Sequence, residues 1–151
     1  MSEDELDETI KELQRKIDED EEKTYSPVVI KEYRNPTHFG CLEHPDVVGE
    51  IKGSCGDTMK IMLKVVNQEI QDARFWTDGC GATVACGNIL MKMIKQKTIL
   101  DTMSISQEHL LQVLGGLPET HAHCAKLSIN TLHKAIIIYL ERKGMLRGEL
   151  V

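Results

Sequence analysis

Aromatic residues are scarce in this chain, 4% of the total, so any core must be built mainly from aliphatic side chains. No apolar run approaches the roughly 20 residues that a helix needs to cross a bilayer, which argues against a membrane partner. Lysine and arginine form no stripe or cluster, so nothing suggests nucleic acid. The start of the chain is acidic, unlike the basic-then-apolar pattern of a secretory signal or the Arg-rich pattern of a transit peptide. These features together lead us to expect a cytoplasmic protein. In that reducing setting, five cysteines are better explained by metal binding, reactivity or burial than by disulfides.

What is present suits one folded domain. The chain has 151 residues, 41% of them hydrophobic, enough for a real core. Its net charge of −6 is unevenly placed. Residues 1–24 hold eleven acids and four bases, for −7, while residues 25–151 hold thirteen acids and fourteen bases, for +1. The acidity belongs to an N-terminal extension, and the domain proper, 25–151, is close to neutral. Within the extension, Ser2 and Glu5 have capping-box spacing, and Leu6, Ile10, Leu13 and Ile17 form a helical seam. Two heptads are marginal for an isolated helix. The extension reads either as a frayed acidic tail or as a helix that docks on the body or on a second subunit. The run Asp18-Glu19-Asp20-Glu21-Glu22 reads as a solvated break before the domain.

From Tyr25 the pattern becomes that of a domain. Ser26-Pro27 marks a helix start and Asn35-Pro36 its end. Val47 to Lys52, Met59 to Val65 and Ile70 to Thr77 read as three strands, with Asn67-Gln68 as a turn between the last two. Along the second strand, Lys60, Met62 and Lys64 should share a solvated face. Helical periodicity follows over Ala82 to Gln96, Ile99 to Met103, Ser106 to Leu114, and from about His123 to Arg142. The predicted fold class is α+β: a three-stranded antiparallel sheet with helices packed on one face.

Three turns carry the residues of chemical interest. In Gly53-Ser54-Cys55-Gly56-Asp57 the cysteine lies between glycines, which permit positive φ and leave the sulfur uncrowded, and a carboxylate follows. Gly79-Cys80-Gly81 repeats the device at a helix start, and His123-Cys124 stands at another. Thiolates with imidazole and carboxylate point to zinc or iron–sulfur chemistry. Twenty-four residues separate Cys55 from Cys80, and 42 separate Cys80 from His123. Such spacing is unlike a zinc finger, so the fold must bring the groups together. Cys55, Asp57, Cys80, His123 and Cys124 are five candidates for a site that normally takes four. Neighbours on a helix point about 100° apart, so His123 and Cys124 are expected to alternate rather than grip one ion together. A spare ligand suits a site that exchanges ligands or hands on its cargo. Helix N-termini should favour the thiolates of Cys80 and Cys124. Cys41 and Cys86 read as small buried hydrophobes, and His38, His44, His109 and His133 as surface or loop residues.

At these residues the body resembles the IscU/NifU-type iron–sulfur cluster assembly scaffolds, over nearly all of residues 25–151. The matching pieces are Tyr25-Ser26, Asn35-Pro36 followed by Gly40, Cys55-Gly56-Asp57, Asp72-Ala73-Arg74-Phe75, Gly79-Cys80-Gly81, Lys97-Thr98 and His123-Cys124. The resemblance implies a scaffold without turnover chemistry of its own. Such a protein accepts persulfide sulfur from an IscS-like cysteine desulfurase, binds iron, builds a [2Fe-2S] cluster and passes it to recipient apo-proteins. It implies Cys55, Cys80 and Cys124 as thiol ligands, His123 and Asp57 as exchangeable ligands, Asp57 as the residue favouring assembly and release, and Cys124 as the sulfur acceptor. Tyr25 matches a tyrosine linked in the family to dimerisation and to reductive cleavage of persulfide. Zinc in the as-purified protein, a [4Fe-4S] cluster and a cluster-bridged homodimer all stay open.

Two departures from the family pattern matter. Where bacterial and mitochondrial members carry Leu-Pro-Pro-Val-Lys, the stretch read by a dedicated Hsp70 chaperone, this chain has Leu117-Pro118-Glu119-Thr120-His121. That puts chaperone-assisted release in question and makes His121 a further candidate ligand. The acidic extension is the second departure. A competing function is a zinc-dependent sulfurtransferase or desulfurase activator of the SufU kind. That branch, however, carries an insertion between its second and third cysteines and lacks the adjacent histidine. A zinc hydrolase is a third reading, with Asp57 as base, but no HExxH-like motif accompanies it.

Overall fold

The computed structural model describes residues 2–144. Three strands, β1 (Val47–Lys52), β2 (Thr58–Val66) and β3 (Glu69–Thr77), form an antiparallel sheet in chain order. The expected meander is therefore present. Asn67 and Gln68 both take positive φ, 52° and 66°, the mirror-image turn that matches strand twist in a two-residue hairpin. Pairing shifts register between Lys64 and Val65.

Alternation decides which face is covered. Val47, Gly49, Met59, Ile61, Leu63, Ala73, Phe75 and Thr77 are buried on one side. Against that side lie α3 (Gly81–Ile94) and α6 (Ala122–Arg142), with α2 (Pro27–Arg34) packed on α3 and α5 (Gln107–Leu114) packed on both α3 and α6. The short α4 (Ile99–Met103) joins α3 to α5. The core is aliphatic, as the composition requires, with Phe75 its one fully buried aromatic among the described residues. Helix α6 lies so close to β1 that a Cβ on Gly49 would stand 2.7 Å from the Cβ of Ala135. On the outer face, Lys60 sits 5.5 Å from the Trp76 ring centre. Met62 departs from the expected solvated face. It is 5% exposed because Val48 and Arg74, its cross-strand partners, flank it.

Loops cap the β3 edge, which would otherwise present free backbone groups. Phe75 exchanges backbone hydrogen bonds with His38 and Gly40, and Ile70 does so with Gln96 and Lys97. Behind the first loop, Glu32 is buried. It accepts hydrogen bonds from Asn88 and from Lys92 Nζ (2.9 Å), while Asn88 Oδ1 accepts the His38 N–H.

The extension is one helix, α1 (Glu3–Thr24), capped by the Ser2–Glu5 box. Contrary to the expected break, the helix runs straight through Asp18–Glu22. Arg34 of α2 pairs with Asp18 (3.1 Å) and Glu21, and Arg15 pairs with Glu12 and Glu19, which offsets the repulsion of the acidic run. Leu6, Ile10, Leu13 and Ile17 remain 48–55% exposed. Cys86 is buried as expected. Cys41 is exposed, because its loop lies outside the layer covered by helices. His133 sits midway along α6 with a buried, unpartnered Nε2, not on the surface.

Candidate metal centre

The three sequence-predicted turns gather at one end of the sheet. The hairpin loop after β1 carries Cys55, exposed, with its Sγ 3.8 Å from Asp57 Oδ2. Gly53 donates to the Asp57 carbonyl (2.7 Å) and so closes the loop, while Gly56, at φ 92°, takes the positive-φ position. Gly53 itself is not left-handed, so only one of the two glycines serves the turn as expected. Asp78 joins this loop to the next: its Oδ1 accepts the Thr58 N–H at 2.7 Å.

Cys80 is the N-cap of α3. A Cβ on Gly79 just before it would come within 2.8 Å of Thr83 and 2.9 Å of Asp57 Oδ2, so only glycine lets these groups converge. Burial pushes the Cys80 thiol up. The backbone N–H and hydroxyl of Thr83 and the Ala82 N–H outweigh that and hold it below the ordinary thiol value. The expected shift towards the thiolate is present in direction at Cys80.

Cys124 behaves differently. Its side chain is fully buried in the first turn of α6, and burial, joined by the charge of Cys80, pushes it up to about 11 despite a hydrogen bond from the Thr83 hydroxyl (3.2 Å). The expected preference for the thiolate is not met here, because desolvation exceeds what the helix terminus supplies.

The two histidines divide between neighbours. His123 lines a cavity of about 240 Å³ together with Cys55, Lys52, Lys126 and Asn130. Its Nε2 also returns to 3.7 Å from Cys124 Sγ, nearer than the 100° step between adjacent helical residues suggested. His121, on the 3-10 turn Glu119–His121, places Nδ1 3.9 Å from Cys80 Sγ and Nε2 3.2 Å from the Tyr25 hydroxyl. The ligand atoms of Cys80, His121 and Cys124 all lie within 4.8 Å of one another. Among the described residues, this is the group of three or more His, Cys, Asp or Glu side chains close enough to hold one ion. Cys55, Asp57 and His123 stand beside it.

Sequence reasoning passed over Thr83 and Asp78. Thr83 touches both helix-borne sulfurs, at 3.2 Å from Cys124 and 3.7 Å from Cys80. Its place three residues after an N-cap was the available signal. Asp78 shows no signal beyond its turn.

A family model, the NifU-like N terminal domain, matches residues 24–145. The iron-sulfur cluster assembly scaffold protein IscU of Aquifex aeolicus is 37% identical over 123 residues, covering 80% of this chain and 78% of that protein. IscU 1 of Archaeoglobus fulgidus, of the same description, is 36% identical over 121 residues, with 80% and 79% covered. In fold, the chain is similar to the crystal structure of a protein from Fervidobacterium islandicum described as a scaffold for the SUF system. The TM-score is 0.61 at 23% identity, over 74% of this chain and 96% of that one.

Proposed function

The chain belongs to the NifU-like N-terminal domain family, and from that premise we propose that it is a scaffold on which iron–sulfur clusters are assembled and from which they are passed to other proteins. The observation that carries this reading is the meeting of Cys80 and Cys124, from two helix starts, with the Cys55–Asp57 loop beside them. Thiolates retain iron, whereas the hard oxygen of Asp57 holds it less firmly and keeps the site labile. His123, between Cys124 and the Cys55 cavity, is the exchangeable ligand.

Sulfur arrives on Cys124 from the persulfide of a cysteine desulfurase. The Cys124 thiolate attacks the terminal sulfur, the donor's S–S bond breaks, and the donor cysteine leaves as thiolate. Because Cys124 is fully buried, its sulfur must be uncovered before the donor can reach it. The cluster built is [2Fe-2S], and the recipients are apo iron–sulfur proteins. No helix among the described residues is long and apolar enough to cross a membrane, which accords with work in the cytoplasm.

A second reading keeps the same residues but gives them a stable zinc, making the protein a sulfurtransferase or desulfurase activator. The two-sulfur, one-nitrogen set is one that zinc accepts well. Anaerobic reconstitution with iron, cysteine and a cysteine desulfurase, followed by visible absorption and iron and sulfide counts, separates the two. Stoichiometric cluster that moves on to an apo-ferredoxin supports the scaffold. A colourless protein with one tight zinc that still stimulates the desulfurase overturns it.

A further inference from the structure

Helix α1 supplies nothing to the metal centre and buries none of its own side chains. It is nevertheless a formed helix, capped at Ser2 and clamped near its far end by the Arg34 pairs with Asp18 and Glu21. Leu6, Ile10, Leu13 and Ile17 run along it in one stripe, each about half exposed. Their steps of 4, 3 and 4 residues have the heptad period. An apolar stripe on a helix held in this way is half of an interface.

The heptad positions identify the other half. Placing Ile10 and Ile17 at a puts Leu6 and Leu13 at d. β-Branched residues at a with leucine at d favour two parallel strands. The borders of the stripe agree. Positions e are Asp7, Gln14 and Glu21, and positions g are Thr9, Lys16 and Lys23. In a parallel pair each g faces the e five residues further along the other helix. Thr9 then meets Gln14, and Lys16 meets Glu21, each twice by symmetry. An antiparallel pair sets Lys16 against Thr9 and forfeits both ion pairs. Among the described residues, Lys16 has no ion pair within its own chain. The acidity of the extension is compatible with pairing, because seven of its eleven acids fall at b, c or f, turned away from a partner helix. Glu3 at a and Asp20 at d end the stripe and hold it to two heptads.

We propose that α1 pairs in parallel with α1 of a second copy, joining two domains in a weak symmetric dimer. Arg34 ties α1 to α2, and α2 packs on α3, so the two bodies stand together at the C-terminal end of the coil. This dimer needs no metal, cluster or disulfide between the chains, and it does not depend on the scaffold reading.

Sedimentation equilibrium of the full chain, with reductant and chelator present, tests the pairing. A coil of two heptads is weak, so the wild type should pass from monomer to dimer with a Kd between about 1 µM and 1 mM. Leu13→Glu should be monomeric across that range. Because α1 buries no side chain, this variant should keep the wild-type urea midpoint. Asp20→Leu adds a third apolar d position and should tighten the dimer by roughly tenfold or more, a gain that loss of folding does not produce. Lys16→Glu should weaken it roughly threefold more than Lys11→Glu, which makes the same charge change at position b. A wild type that stays monomeric to about 1 mM, or a Leu13→Glu dimer of wild-type affinity, overturns the proposal. So do an unchanged Kd in Asp20→Leu and equal effects of the two lysine variants.

Discussion

Substituting Gly49 with alanine tests whether the approach of α6 to β1 sets the position of the site. The new Cβ would lie 2.7 Å from Ala135 Cβ and 2.8 Å from both Ala135 Cα and N. Favourable carbon contacts begin near 3.5 Å, so the deficit is about 0.8 Å. Two of the three atoms are helix backbone, which no rotamer change can move. Helix α6 must shift outward, or β1 must bend. Overpacking of this kind costs about 1–3 kcal/mol, and for a chain of this size about 2 kcal/mol lowers Tm by roughly 4–8 °C. Urea unfolding of the metal-free protein, followed by far-ultraviolet circular dichroism, reads it as a lower midpoint at unchanged m. Ala135→Gly alone should cost about 1 kcal/mol through helix propensity. Combined with Gly49→Ala it removes the Cβ–Cβ overlap but leaves the other two, so the pair should be coupled by at least about 0.5 kcal/mol. Because α6 carries His123 and Cys124 in its first turn, cluster yield should fall with the midpoint. A Gly49→Ala midpoint equivalent to within about 0.5 kcal/mol of wild type, or strict additivity in the pair, refutes the reasoning.

Asp57→Ala should hold reconstituted cluster longer than wild type, seen as slower loss of visible absorption to an apo-ferredoxin; equal or faster loss removes Asp57 as the source of lability. Cys124→Ser should abolish persulfide capture in a desulfurase assay read by mass spectrometry, and capture on Cys55 or Cys80 at the normal rate reassigns the acceptor. Alkylation of the metal-free protein near pH 8 should mark Cys80 well before Cys124, whose labelling should climb only as pH rises towards about 11, where its thiol ionises; equal rates at pH 8 contradict the burial argument. Asn88→Ala should cost about 2–4 kcal/mol in urea unfolding, because it strips a partner from the buried Glu32 carboxylate and from the His38 N–H.

Local signals determined much of this molecule. Strand β1 and helices α4 and α5 fall where periodicity and Ser106 placed them, and Ser26-Pro27 and Asn35 bound α2. Each depends on neighbours a few residues away in the chain, within reach of a capping oxygen or a repeating apolar face. The three metal-capable turns were legible for the same reason, as glycine beside cysteine is a local arrangement. Tertiary structure alone decided which side chains meet. It set His121 against Cys80 and placed His123 beside the cavity that Cys55 lines, because these groups come from segments far apart in the chain. It buried Cys124 and raised its thiol, where the helix start alone pointed the other way. It carried α1 through its acidic run by supplying Arg34 from another helix. Charge compensation, desolvation and contact between distant segments are properties of the packed chain, and no window of neighbouring residues contains them.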